Sequence, residues 1–576
     1  MKVRLASALQ KLEAAKSEYG PGYATRVEKV LASLRNCAVS DPQSLIRFHD
    51  RLLFLRAFPQ SRQVVQLTEE LLGGIERQVK RWRESGGDMD LFNSEEFSGI
   101  AGTAIEDTFT YEVARWLASR YPRELSVEWD LDEQSRQFSS SLPQLLPLLG
   151  DDCFVEADTP YLEWLSNAAG GESRVLSWLL QLLEKAPRTI LQKTAWYDAL
   201  QIDISWELGI SNASRTYARR NSPPVYYHKA PLIRRSQVSL LREFKSPSLP
   251  IRKLSRTQGD EVLNLVSEVL TVRYRELYGT TRGDPAQVIE ADAGRGVHIF
   301  LWGLPPDRRL PLRAYFAGLT VKNGVPINYI EGISLCEWME VGFNTFYAFR
   351  EGETAWIYSK VLHLLHQLTG ATCFSIYPYQ LGEGNEEAIK SGAFWFYRKL
   401  GFRPGKPELL ALTEREEKKI ANTPGYRTSA STLRKLAAEH VFYEFGDERH
   451  GLWDNFSTRN VGMAVQRLMA KKFRGDPDKM RDETTSSLAQ ILRVDPGKWS
   501  KLEQEAFANF AAVLARVDDF SHWTNVEKQG VLQIIRAKVL PNEAEYLRLF
   551  RQHRKLKEVF LRIGSNRTLA EVAQQA

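Results

Sequence analysis

Cysteine is scarce in this chain. Cys37, Cys153, Cys336 and Cys373 are the only four among 576 residues, and no two stand at CxxC spacing. That excludes a disulfide-built scaffold and suits a reducing compartment. Long apolar runs are missing as well: VLSWLLQLL at 175–183 covers only about half of a membrane span. The first residues, MKVRLASALQKLEAAK, are amphipathic and carry no apolar core with a cleavage site, so no signal peptide is expected. A cytoplasmic protein with no membrane partner is the expectation. Charge of one sign is also in short supply, since 77 basic against 71 acidic residues leaves a net +6 that names no partner. No fixed internal period marks a solenoid of repeats.

What is present is the composition of folded protein. Phe (27), Tyr (21) and Trp (14) are too plentiful for a mostly disordered chain. The length exceeds one hydrophobic core and calls for several domains. Residues 1–213 read as helical: SLIRFHDRLLFLRAF, VVQLTEELLGGIERQVKRWRES, GIAGTAIEDTFTYEVARWLASRYP and SRVLSWLLQLLEKAP place apolar residues at three and four spacing. His49 and Asp50, adjacent on one of these helices, face different directions, and His49 reads as a surface or packing histidine rather than a catalytic one.

From 214 the character changes. Five prolines (Pro223, Pro224, Pro231, Pro247, Pro250) block long helices, and eleven basic residues from Arg215 to Arg256 face one acid, Glu243. Tyr217, Tyr226 and Tyr227 interleave with the cations. Such a stretch suits a connector whose cations pair with neighbouring acids. It also suits a patch for an anionic cofactor or acidic partner, or a nucleic-acid stripe with stacking aromatics. Nucleic acid is the least favoured of the three.

Beyond 251 short strands appear: IRKLS, VHIFLWGL, then RAYFAGLTV and VPINYIEGISL flanking the hairpin signal Asn323–Gly324. An amphipathic helix, GDEVLNLVSEVLTVRYRELYG, precedes them. The stretch Glu340–Pro404 is the most informative. EVGFNTFYAF predicts a strand buried on both faces, Gly352 breaks it, and Glu353 and Thr354 open a helix. Ile357, Val361, Leu364, Leu365 and Leu368 form its apolar stripe, which Gly370 stops. ATCFSIY follows as a strand, and a second helix takes in Tyr397–Phe402. This is a βαβα unit whose two strands should run parallel. After 410 the pattern reads as helical again, ASTLRKLAAEHVFYEF included, and the basic RQHRKLK as a solvated helix face.

The ending FYRKLGF, with Ala393 four residues before Tyr397, resembles the close of the last helix in the GNAT superfamily of acyl-CoA N-acyltransferases. The match covers about residues 250–410. It implies a GNAT-like α/β domain at 251–410, between a helical domain at 1–213 with a basic connector at 214–250 and a C-terminal helical region at 411–576. The fold class expected is therefore an α-rich multidomain α+β chain with that mixed α/β domain in the middle. The loop departs from the family's pattern, with Phe349 and Thr354 at two of its positions and Lys390 where an asparagine is frequent.

Acyl transfer to an amine requires the carrier's phosphates to be held, the carbonyl oxygen stabilised and protons moved. Arg350, Gly352, Thr354 and Ala355 stand at a helix N-terminus, where free N–H groups and the dipole favour a pyrophosphate. The resemblance implies that Tyr397 protonates the departing coenzyme A thiolate; the other reading of that residue is a core aromatic. Glu331, Glu337 and Glu340 lie on or beside the strands leading to the site and could relay a proton, or could be strand-end surface acids. His363 and His366 share a helix face, but no third ligand accompanies them, so no metal is expected. The expected activity is transfer of an acyl group from acetyl-CoA or another acyl-CoA to an amine the residues do not name. The alternatives are a non-catalytic interaction protein keeping a degenerate version of the fold, and an aminoacyl-tRNA-dependent transferase using the basic segment for RNA.

Overall fold

A computed structural model describes residues 2–35, 41–129, 138, 161–221, 224–446 and 450–565. Cys37, Cys153 and Pro223 lie outside the described residues. The chain is mixed α/β, more helix than strand, and divides into two compact units. The first comprises Met1–Pro231, Asn264–Thr281 and Asn323–Pro326; the second comprises Leu232–Leu263, Arg282–Lys322 and Ile327–Ala576. The basic segment is thus shared, 214–231 belonging to the first unit and 232–250 to the second.

The first unit is helical in its opening stretch, as its periodicity predicts. Helix Pro42–Ala57 starts where Asp41 accepts from the Ser44 N–H, and helix Arg62–Leu72 where Ser61 accepts from the Val64 N–H. From residue 99 the helical reading holds only in part: Val175–Lys185 and Ile190–Asp198 are helices, but strands stand between the helices. Strands β1 (Ala104–Asp107), β2 (Leu125–Glu128) and β3 (Asp203–Glu207) form an antiparallel sheet in the order β1-β3-β2, and only Tyr111–Arg120 of the expected helix is helical. Gly99 supplies the reason: its φ is +80°, and a β-carbon there would come within 2.7 Å of the Val272 carbonyl oxygen. A helix does not include a residue at that φ, so none begins at Gly99. Ile105, Tyr111, Leu117, Ile204 and Trp206 bury against Leu179 and Leu183 of the helix Val175–Lys185.

The second unit is built on a nine-stranded sheet. Its strands are β4 (Ile251–Lys253), β5 (Ile289–Gly294), β6 (Val297–Trp302), β7 (Ala314–Lys322), β8 (Val325–Leu335), β9 (Trp338–Thr345), β10 (Cys373–Ile376), β11 (Arg403–Pro404) and β12 (Val441–Glu444). Their order is β11-β12-β10-β9-β8-β7-β6-β5-β4. Asn323 and Gly324, between β7 and β8, have φ of 50° and 79°, as an Asn–Gly hairpin turn requires. β9 and β10 are parallel, and helix Thr354–Thr369 joins them and ends at Gly370 in the left-handed region. The βαβ expectation is met.

Three details correct the sequence reading. The strand expected over 340–349 stops at Thr345, and Tyr347–Phe349 form a 3₁₀ turn. It is not buried on both faces either. Met339, Val341 and Phe343 are buried while Glu340, Gly342 and Asn344 are half-exposed, the period-two signature of a strand with two unlike faces. The segment expected as one helix through Phe402 is two, Glu386–Ser391 and Ala393–Arg398, parted by Gly392 at φ +67°. HVFYEF is not helical: VFYE is β12, between β10 and β11 in the sheet. Its β-branched and aromatic residues outweigh the helical pattern of the preceding ASTLRKL. Helices from Thr458–Phe473 to Arg554–Ser565 then share one apolar cluster with Leu335, Trp338 and Phe442 of the sheet and Cys336 of the β8–β9 turn.

Candidate functional site

Strand register brings two carboxylates together. Glu331 of β8 pairs with Gly342 of β9, and Ile333 with Glu340, so Glu331 and Glu340 point to one face of the sheet as diagonal neighbours. The other face lies under helix Thr354–Thr369, since a β-carbon on Gly332 would come within 3.7 Å of Leu365. Gly342 leaves a gap between the two acids. A β-carbon there would stand 3.2 Å from Gln380 Nε2 and 3.4 Å from the Glu331 β-carbon.

Each acid has a partner of different chemistry. Tyr315 donates its hydroxyl to Glu331. Burial pushes the Glu331 carboxyl above its usual range; the tyrosine hydrogen bond opposes this, and the charge of Glu340 adds to it. Glu340 lies 2.9 Å from His440 Nε2, and the His440 ring meets Tyr377 edge-on with centroids 5.4 Å apart. Arg313 is half-buried, and its charge reaches Glu340 without an ion-pair contact; burial pushes its guanidinium below the usual value and Glu340 opposes that.

β9 and β10 remain paired only through Trp338–Cys373, Met339–Phe374 and Glu340–Ser375. β10 then ends at Ile376 while β9 runs on to Thr345, so the ladder between them stops beside Glu340 and leaves the rest of this edge of β9 without a strand partner from β10. Gln380 reaches this edge. Its Oε1 accepts from the Phe343 N–H at 3.4 Å and from the Tyr397 hydroxyl at 3.4 Å. Tyr397 is 5% exposed and packs edge-on against Tyr358 and Phe402. Burial holds its phenol well above the usual value, with Tyr329 adding to the effect, so it stays protonated and able to donate. Tyr397 is thus a core aromatic whose hydroxyl bonds Gln380.

The residues expected to hold a pyrophosphate are placed less simply. Helix Thr354–Thr369 begins at Glu353, whose side chain makes no capping bond, so the first-turn N–H groups have no partner within their helix. Arg350, however, pairs with Glu387 and stacks on Tyr347 at 3.9 Å. The Gly352 N–H donates to Phe349, the Thr354 hydroxyl donates to the Arg350 carbonyl at 3.3 Å, and Ala355 is buried. Behind the turn Glu353, fully buried, accepts from Arg295 at 2.5 Å and from the Ile233 N–H at 3.1 Å and faces Lys322 at 3.6 Å. Burial lowers the Lys322 ammonium to about 7 against the opposing charge of Glu353.

Other named residues fall away from the opening. Glu337 is buried and accepts from Trp453 at 2.9 Å and from Lys557 at 3.0 Å, which ties the sheet to the C-terminal helices. His363 bonds Glu243 at 2.9 Å and His366 the Ala371 carbonyl at 2.8 Å. No cluster of three or more His, Cys, Asp or Glu among the described residues could hold a metal ion. No helix among the described residues is long and apolar enough to cross a membrane. In the basic segment, Arg215 pairs with Asp50, Arg219 with Glu69 and Arg252 with Glu290.

Sequence reasoning missed Gln380, His440, Tyr315 and Arg313. They come from three separate stretches and carry no motif; the neighbouring of β7 and β8, the end of β10 and the placing of β12 bring them to Glu331 and Glu340. Comparison of the chain with protein families, with curated proteins and with solved structures returns no match.

Proposed function

We propose that the second unit is a GNAT-like acyl-CoA-dependent N-acyltransferase whose reaction takes place in the opening between β9 and β10. The observation that carries this reading is the end of the ladder between the two parallel strands after Glu340–Ser375, with a proton donor on one flank and acids on the other. The joining helix starts at the Gly352 turn, and FYRKLGF follows on the far side.

In this reading the thioester lies along the exposed edge of β9. The Glu340–His440 pair takes the proton of the attacking amine, directly or through one water. Glu331, its carboxyl held toward the neutral form by burial, keeps a second carboxylate charge out of the same recess. Tyr397 donates its hydroxyl proton to the thiolate as the carbon–sulfur bond breaks. The uncapped first turn at Thr354–Ala355 fits a pyrophosphate, whereas Arg350 must leave Glu387 to contribute its charge. That pairing, with buried Phe349 at a motif position, is what favours the second reading, a non-catalytic interaction protein. The pairing of Arg215, Arg219 and Arg252 with acids counts against RNA as the partner of the basic segment.

Thermal or chemical unfolding with a panel of acyl-CoAs tests the reading. A ligand at a hundred times its dissociation constant adds about 2.7 kcal/mol. Gly352→Val should remove that gain. Tyr397→Phe should keep it and lose on the order of 10²–10⁴ in turnover. No gain with any short- or long-chain acyl-CoA would leave the interaction-protein reading.

A further inference from the structure

A second recess in this unit has no part in the scheme above. The loop before β7 and the helices Thr458–Phe473, Pro477–Leu492 and Lys501–Leu514 enclose a cavity of about 560 Å³. That lies within the roughly 300–1,000 Å³ of small-molecule sites. Most of its wall is apolar, with Leu310, Val461, Val465, Met480, Ala512 and Val513 contributing. Three charged residues line it, Arg313, Arg481 and Asp478, and the latter two are exposed at their helix.

Arg313 is the unusual member. It is half-buried, and no hydrogen bond or ion pair of its guanidinium is found among the described residues. Several other half-buried or buried cations of this unit are matched: Lys538 with Glu543, Arg403 with Asp454 and Glu444, and Lys360 with Glu243. Glu340 is the one acid whose charge reaches Arg313, and it is engaged by His440. A desolvated cation left without an anion is costly, and the natural way to recover that cost is an anion supplied from outside. The apolar wall next to it selects what that anion is attached to.

We propose that this cavity binds an amphipathic anion, an apolar chain ending in one carboxylate or phosphate, with Arg313 holding the head group and the C-terminal helices covering the chain. The site does not rest on the transfer reading, because Arg313 has no step in that scheme and the other cavity residues lie outside the β9–β10 opening. Arg481 at the rim adds a weaker, solvent-screened attraction, which Asp478 offsets.

Isothermal titration of the full chain with decanoate, decyl phosphate and decanol, each below its micelle concentration, tests it. At least one of the two anions is expected to bind at one site, with decanol at least tenfold weaker. The stronger anion identifies the head group as carboxylate or phosphate. Arg313→Leu should weaken anion binding by about tenfold to a hundredfold and bring it level with decanol. Arg313→Gln, a smaller change, should do the same in part and serves if the leucine variant does not fold. Ala512→Trp, which fills the cavity, should abolish binding of all three. Gly352→Val should leave decanoate binding unchanged, which keeps this site separable from the acyl-CoA reading. Decanol binding as tightly as both anions, no binding of any of the three, or anion binding that survives both Arg313→Gln and Ala512→Trp would each overturn the proposal.

Discussion

Each unit buries a cluster of charges, and the two clusters are built differently. In the first unit Asp50 faces Arg215 at 3.4 Å and His49 at 3.5 Å, and Arg215 also donates to the carbonyls of Glu96 and Ser98. Thr216 accepts from the Ala101 N–H and bonds His49 at 3.0 Å, while Arg56 binds the Thr216 carbonyl and Glu69. Cation, anion and carbonyl alternate, as in a network that holds chain segments in place. In the second unit Glu331 and Glu340 share a recess, one with a hydroxyl and one with an imidazole, and the nearest guanidinium is in contact with neither. The lesson is that burial of charge alone does not mark a functional site. Acids whose partners are a hydroxyl and an imidazole, with no guanidinium in contact, do mark a candidate.

Four experiments sharpen or break that contrast. Asp50→Asn removes the carboxylate paired with buried Arg215 and should cost about 3–5 kcal/mol in denaturant unfolding. Arg313→Leu should cost less than about 1 kcal/mol, because no partner is orphaned. Equal losses would erase the distinction.

Next in size is the chemistry. Glu340→Gln and His440→Gln should each lower turnover by about 10²–10⁴, with a double variant no worse than the worse single one if the two act as a unit. Steady-state rates with the acyl-CoA found by the stabilisation screen provide the measurement.

The pH dependence of stability should differ in sign between the clusters. Burial raises the Asp50 carboxyl, but Arg215, His49 and Arg273 outweigh it, so its folded value lies below 3.8. Its contribution is complete above 3.8 and is lost as pH falls through the folded value. Glu331 is the reverse: its folded value lies above 4.5, and its contribution, complete below 4.5, is lost as pH rises through that value. Glu331→Gln should therefore be stabilising at pH 8 relative to the parent and lose that advantage at pH 4. Urea titrations at the two pH values decide it. The smallest effect belongs to the exposed pair Arg219–Glu69, where Arg219→Ala should change stability by less than about 1 kcal/mol and less still in high salt.

What the residues alone determined was local. The Asn323–Gly324 turn, the helix stopped at Gly370 and the parallel pair around it follow from period, propensity and the need of two backbone positions for positive φ. Those are interactions within a few residues, so they are legible in a string of letters. The reading failed where a segment's partner lies far along the chain. β1, β2 and β3 became strands because they pair across about a hundred residues, and VFYE became β12 because the edge of β10 accepts it. The site shows the same division. Tyr397, Glu331 and Glu340 were found from a motif and from strand position, but which of the nearby acids faces the opening depends on register. Glu340 faces it and Glu337, three residues earlier and past the turn, is buried against Trp453 and Lys557. Tertiary structure alone decided that Tyr315, Gln380, His440 and Arg313 join them, since their closeness arises from sheet order and from packing of the C-terminal helices, which no spacing along the chain encodes.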